Sequence, residues 1–145
     1  MTHAKDDCES LLGQLMPFVE DTLAKYREFF PVAAVMLQSQ EIMMVAPSDD
    51  DEDQEPDAII ALLNEGFREG VQSGEYRATC VAFDALATHP EKDTQQDTVI
   101  CDLDHQDNYS VKVCFPYHFD AKDELVVEDP YAVEGAYEVF GNTTT

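Results

Sequence analysis

The sequence predicts an α+β fold: an antiparallel sheet of about five strands with two main helices packed on it, in the order α-β-β-α-β-β-β. Two segments carry apolar residues at helical spacing, and the remaining apolar runs are short and bounded by turn residues. The length of 145 residues and a hydrophobic content of 44% suit one packed core. We therefore predict a single domain over residues 1–145, ordered over about 8–140, with flexible ends at 1–6 and 141–145 and an acidic loop at 48–56.

The first helix is predicted to run from about Glu9 to Phe29. Pro17 interrupts this segment and predicts a kink or a restart, because proline removes a backbone hydrogen bond. Pro31 ends the helix. The predicted buried stripe consists of Leu12, Leu15, Met16, Val19, Leu23 and Tyr26.

The next segment predicts a β-hairpin with strands at 33–37 and 42–46, closed by Pro47. Both faces of these strands are apolar, so we expect neither face to remain in water. One helix layer covers one face. The other face therefore requires a second layer or a partner chain.

A second helix is predicted to follow the acidic loop. Pro56 suits the first turn of a helix, and Asp57 complements the positive end of the helix dipole. The helix runs to about Ser73, and Gly74 is a natural stop. Residues 76–87 then form a long strand that is apolar on both faces, which predicts a central position in the sheet. The buried stripe of the helix is Ile59, Ile60, Leu63, Phe67 and Val71.

The second hairpin can be predicted in register. A three-residue loop at 106–108, with Asn108 in the left-handed conformation, pairs His105 with Tyr109. This register gives one almost wholly apolar face, whereas a two-residue turn would mix polar and apolar residues on both faces. The other predicted pairs are Leu103 with Val111, Cys101 with Val113, Val99 with Phe115, Asp102 with Lys112 and Asp104 with Ser110. Short strands are predicted at 125–127 and 136–140.

The acidic composition is the outstanding feature of the sequence. There are 31 Asp and Glu residues against 8 Lys and Arg residues, which gives a formal net charge of −23. Such a field repels nucleic acid and anionic membranes, and it attracts basic proteins, most strongly at low salt. We therefore predict no nucleic acid or membrane partner, and a protein partner that is either a basic protein or a second copy. The alternative interpretation is that the charge serves solubility or a salty interior.

The sequence also bears on location. The start, MTHAKDDCESLLGQLM, lacks a basic region followed by an apolar core, which argues against a secretory signal. No apolar run reaches the roughly 18–20 residues that a membrane-spanning helix needs. The cysteines are widely spaced and form no CxxC pair, so we expect reduced thiols and a cytoplasmic location. They are Cys8, Cys80, Cys101 and Cys114.

We predict neither a metal nor another cofactor. Cys101, His105, Cys114 and His118 are all zinc-capable, but the predicted hairpin directs the two cysteines to opposite faces. These residues are interpreted as small buried thiols and surface histidines. The acidic run at 49–57 resembles a calcium loop in its alternating Asp residues, but it lacks the glycine and the final glutamate of such a loop.

The preferred interpretation is a non-catalytic protein-binding or regulatory domain, because the sequence carries no recognisable catalytic motif. One version is an acidic inhibitor, or immunity-type protein, that presents carboxylates to a basic nuclease where phosphates would sit. The residues predicted to bind the partner are Asp49, Asp50, Asp51, Glu52 and Asp53.

The alternative is a small enzyme or ligand-binding domain with a pocket between helix and sheet. A carboxylate inside an apolar strand, such as Asp84, must be paired, protonated or placed at an edge. Arg77 and Arg68 are the candidate counterions for Asp84. The candidate pocket residues are Asp84, His105, Tyr109 and His118.

Overall fold

The computed structural model describes residues 4–45, 55–92, 94–107, 109–137 and 139–140. This part of the chain contains two helices, α1 (Ala4–Tyr26) and α2 (Pro56–Gln72). It also contains the strands β1 (Val32–Leu37), β2 (Ile42–Val45), β3 (Tyr76–Thr88), β4 (Gln95–His105), β5 (Tyr109–Phe119), β6 (Leu125–Val127) and β7 (Tyr131–Glu134).

The strands form one antiparallel sheet in the order β2-β1-β3-β4-β5-β6, with β7 also paired to β5. The α+β prediction, with two helices on an antiparallel sheet and β3 in a central position, is confirmed. The sheet has seven strands rather than five because β6 and β7 share the outer edge of β5. The strand predicted at 136–140 is wrong: the backbone N–H groups of Val139 and Phe140 donate to the carboxylate of Asp104 instead of to a neighbouring strand.

Helix α1 is longer than predicted. It begins at Ala4 rather than near Glu9, and acidic Asp6 and Asp7 occupy its first turn, where they complement the helix dipole. The helix continues through Pro17 without a restart. Buried residues on both sides of the proline pack on the same face of the sheet and hold the two halves in line. They are Cys8, Leu11, Leu15, Met16, Val19 and Leu23.

The two helices cover opposite faces of the sheet, and this arrangement explains the two-sided apolarity of β1. Its even-numbered residues, such as Ala34 and Met36, belong to the core beneath α1. Its odd-numbered residues, Ala33 and Val35, belong to a second core formed with Phe67 of α2. Helix α2 therefore supplies the predicted second layer for β1. The expectation that neither face remains in water is wrong for β2, whose Met43 and Met44 are 49% and 43% exposed.

Both hairpins close through three-residue loops. In the first, Gln40 N–H donates to Leu37 O and Leu37 N–H donates to Glu41 O, both at 2.8 Å. Gln40 has a positive φ of 75°, as the third residue of such a loop requires. In the second hairpin every predicted pair is confirmed, from His105 with Tyr109 to Val99 with Phe115. Asn108 lies outside the described residues.

Candidate functional site

A buried polar cluster joins α1 to one end of the sheet. The carboxylate of Asp7, from the first turn of α1, lies between His105 of β4 and Arg77 of β3. Asp7 Oδ2 is 2.7 Å from His105 Nε2 and 3.0 Å from Arg77 Nε. Asp7 is 2% exposed and His105 is 0% exposed. Gln40, from the first hairpin loop, also donates to Asp7 Oδ1 at 3.4 Å.

The surroundings of Asp7 favour its charged form. Burial is the largest single influence and acts to raise the pKa of Asp7, but the other influences together outweigh it. Hydrogen bonds from His105, Gln40 and Arg77, with attraction to the Arg77 guanidinium, bring this pKa below its ordinary value. Asp7 therefore acts as a buried anion that ties three elements together.

The hydrogen bonds of His105 fix which ring nitrogen carries the proton. The backbone N–H of Asp107 donates to His105 Nδ1 at 3.0 Å, so Nδ1 is the acceptor and Nε2 is the donor to Asp7. The interpretation of His105 as a surface histidine is thus wrong. His105 follows Cys101 and Leu103 at every second residue of β4. Alternate residues of a strand share a face, so His105 points to the face of the sheet that α1 covers.

The neighbouring thiol does not turn this cluster into a catalytic site. Cys8 follows Asp7 in α1 and is 3% exposed. Burial, with the nearby negative charge of Asp7, raises the pKa of the Cys8 thiol to about 12. The thiol therefore stays protonated at neutral pH and is a poor nucleophile. The geometry of the cluster suits a structural clamp.

The four candidate pocket residues do not meet in one place. His105 and Tyr109 are cross-strand partners. Asp84 lies six residues along β3 from Ala78, the partner of His105, which is about 20 Å at the rise of a strand. His118 projects from the opposite face to Tyr117 and contacts Glu128, with 3.0 Å between Nδ1 and Oε2.

Asp84 is bonded to a tyrosine rather than to an arginine. Tyr117, which is buried, donates its hydroxyl to Asp84 Oδ1 at 2.8 Å. Partial burial of the carboxylate raises the pKa of Asp84, and the hydrogen bond from Tyr117 opposes that rise. Arg77, one of the two predicted counterions, pairs instead with Asp7.

Two grooves flank α1, and the lining of each includes both apolar residues and carboxylates. The first, called the β2 groove, lies between α1 and β2 and encloses about 600 Å³. The second, called the β6 groove, lies between α1 and β6 and encloses about 700 Å³. The β2 groove is lined by residues that include Asp6, Asp7, Ser10, Gly13, Met36 and Ile42. The β6 groove is lined by residues that include Glu20, Asp21, Asp123, Glu124, Leu125 and Val127.

Strand β2 forms an exposed apolar edge beside the first groove. It lies at the end of the sheet and pairs only with β1 among the described strands. Met43 is 49% exposed and Met44 is 43% exposed, and their side chains point to opposite faces. The strand contains neither a charged residue nor a proline.

A smaller cavity of about 380 Å³ lies between α2 and the sheet. Its lining carries two basic residues, Arg68 of α2 and Lys112 of β5, and two acidic residues, Asp57 and Asp102. None of the four candidate pocket residues lines this cavity. A helix–sheet cavity is therefore present in the described part of the chain, but other side chains form it.

The predicted partner-binding residues, Asp49 to Asp53, lie outside the described residues, and their role stays a prediction. In the described part of the chain, sequence reasoning missed the Asp7 cluster. The burial of Asp7 could have been predicted from the sequence, because Asp7 lies one helical turn before Leu11 on the buried stripe of α1.

Comparison with known proteins gives no family assignment. No protein-family model, curated protein or solved structure matches the chain. Neither helix in the described ranges has the length and apolarity required to cross a membrane.

Proposed function

We propose that the chain is a non-catalytic protein-binding or regulatory domain that docks a basic protein partner. The observation that carries the proposal is the net charge of −23, combined with two grooves that are lined by apolar residues together with carboxylates. Protein interfaces commonly place apolar contacts at the centre and polar groups at the rim. An immunity-type inhibitor of a basic nuclease is one concrete form of this function.

The charge favours a basic partner over a second copy. Two chains that each carry −23 repel one another, and this repulsion opposes self-association at low salt. The apolar faces of β1, which first suggested a dimer, are both covered within one chain by α1 and α2. A basic partner, in contrast, gains on-rate from the same field.

The acidic run from Asp49 to Asp53 supports the same proposal through its position in the sequence. Asp49 follows Val45, the last residue of β2, by four residues. The acidic run therefore follows the exposed edge strand closely along the chain.

Capture from a lysate of the source cells, with the immobilised chain at low and at high salt, tests the proposal. We expect one stoichiometric basic protein that is released by high salt. The on-rate of that protein is then measured against ionic strength for the wild type and for a variant with Asp49, Asp50, Asp51 and Asp53 changed to Asn and Glu52 to Gln. The salt dependence is expected to flatten in this variant.

The matched control removes the same number of charges from another part of the surface. It replaces five exposed glutamates that line neither groove with Gln: Glu65, Glu69, Glu75, Glu91 and Glu134. An equal loss of salt dependence in both variants would show that the acidic run has no special role. Absence of any basic partner would contradict the proposed function itself.

A second candidate function, the binding of a small anionic ligand, rests on the α2 cavity. Arg68 and Lys112, two of only 8 basic residues in the chain, line this cavity, and an anion there would compete for them with the carboxylates of Asp57 and Asp102, which line it as well. Titration with inorganic phosphate or a small carboxylate, followed by NMR, is the test. Shifts at Asn64 and Lys112 would support a site, and unchanged spectra would dismiss it.

A further inference from the structure

We propose that the segment of the partner that docks is an extended basic strand, which pairs with the edge of β2 that no other described strand occupies and lays alternate side chains into the β2 groove. This inference rests on the proposed function and specifies its site and the form of the ligand. Strand addition of this kind draws affinity from main-chain hydrogen bonds and specificity from pockets for alternate side chains.

The hydrogen-bond pattern of the first hairpin identifies the free backbone groups. Leu37 N–H donates to Glu41 O, so the pair that follows, Met36 with Ile42, is a non-hydrogen-bonded pair. The alternation then makes Ala34 with Met44 a second non-hydrogen-bonded pair. The N–H and C=O groups of Ile42 and Met44 consequently point away from β1, towards an incoming strand.

Strand β2 lacks the devices that usually protect a sheet edge. Edge strands are commonly blocked by charged residues or proline, and Ile42–Val45 contains neither. Glu41 directly precedes the strand and Pro47 stands two residues after its end, so the unprotected stretch of edge is the four residues Ile42–Val45. An unprotected apolar edge invites either aggregation or a ligand, and the net charge of −23 keeps copies of the chain apart.

The β2 groove has room for the side chains of an added strand. A methyl group placed on Gly13, in the middle of α1, would meet nothing within 4 Å in the described part of the chain. The groove floor contains Met36 and Ile42, and Asp6 lies at its rim. Met43 and Met44 add flexible, polarizable contacts on both faces. Apolar and basic residues in alternation are therefore the pattern that fits.

The probe for this inference is an acetylated, amidated octapeptide of alternating lysine and valine. A second peptide has the same side chains and charges, but every backbone amide is N-methylated, so it has no donors for a sheet. At low salt the first peptide is expected to bind and to shift the NMR amide signals of Ile42 and Met44 most. N-methylation is expected to weaken binding about tenfold or more, because several hydrogen bonds are lost.

Two variants test the groove and the edge separately. Gly13→Trp fills the β2 groove, and Met44→Lys places a charge on the edge; each is expected to weaken peptide binding about tenfold. Gly66→Trp is the matched control, because Gly66 lies in α2 and an added side-chain atom there also meets nothing within 4 Å. The control is expected to leave the affinity unchanged, and circular dichroism verifies that all three variants fold.

The remaining outcomes separate the inference from the function on which it rests. Equal, salt-sensitive binding of both peptides, unaffected by Gly13→Trp, would overturn strand addition and leave the charge-docking function intact. Failure of both peptides to bind at low salt would overturn the docking of basic segments altogether. A dimer in sedimentation that Met44→Lys dissociates would show that the occupant of the edge is a second copy.

Discussion

Replacement of Asp7 by Asn tests whether the buried cluster holds α1 on the sheet. The substitution keeps the shape of the side chain but removes its negative charge. That charge lies on Asp7 Oδ2, which is 3.0 Å from Arg77 Nε and accepts a hydrogen bond from His105 Nε2. Removal of one member of a buried ion pair costs about 3–5 kcal/mol. Arg77 is 17% exposed, so water compensates in part, and the asparagine oxygen still accepts one hydrogen bond.

We therefore expect Asp7→Asn to lower the free energy of unfolding by about 2–4 kcal/mol. Urea denaturation followed by circular dichroism at pH 7 measures this loss. Asp6→Asn is the matched control, since Asp6 occupies the same first helical turn but is exposed. The control removes the same interaction with the helix dipole and is expected to cost about 0.3–1 kcal/mol.

The pH dependence of the difference is a second test. The pKa of Asp7 is lowered in the folded state, so its contribution is present above the unfolded value of about 3.9 and is lost as pH falls through the lower folded value. The gap between wild type and Asp7→Asn should therefore close at acid pH. A loss no larger than that of Asp6→Asn, or a gap that stays constant from pH 7 to about 3, would refute the argument.

Three further predictions concern local packing. Gly66→Ala is expected to stabilise the protein by about 0.5–1 kcal/mol, because the site is helical and open. Gly70→Ala should destabilise it, because the new methyl group would lie 2.7 Å from Tyr76 Cδ2. Thermal denaturation of both variants shows whether the melting temperature rises or falls. All four cysteines are buried, so Ellman's reagent should find no reactive thiol in the native protein and four in urea; rapid reaction of Cys8 in the native state would contradict its burial. Asp104→Ala should lower the free energy of unfolding by about 2–3 kcal/mol, because Asp104 Oδ1 accepts a hydrogen bond from Ser110 and Oδ2 accepts one from the Val139 amide. The specific evidence for this loss is faster hydrogen exchange at the Val139 amide, while exchange in β1 stays unchanged.

The sequence was sufficient for those parts of the fold that depend on local pattern. The register of β4 and β5 followed from the apolar alternation and the loop length alone, because a shift by one residue would expose one set of apolar side chains. The bounds of α2 followed from Pro56 and Gly74 in the same way. The three-residue strand β6 was also located correctly.

Features that depend on distant residues could not be predicted in this way. Asp7 and His105 are 98 positions apart, and nothing local to either residue indicates the other. The strand predicted at 136–140 failed for a similar reason, because the carboxylate of Asp104 takes the amides that a strand would have used. The grooves beside α1 arise only when the helix and the sheet edges come together, so their residues could not be grouped from the sequence.

The long separation between Asp7 and His105 also has a consequence during synthesis. A ribosome adds about 5–20 residues per second, so His105, 98 positions after Asp7, is added about 5–20 s later. Until β4 is complete, the apolar stripe of α1 lacks part of the sheet that buries it, although β1 and β3 precede β4 in the chain. The nascent chain thus exposes apolar helix surface for many seconds. The acidic residues of the chain oppose its association with neighbouring nascent chains through charge repulsion.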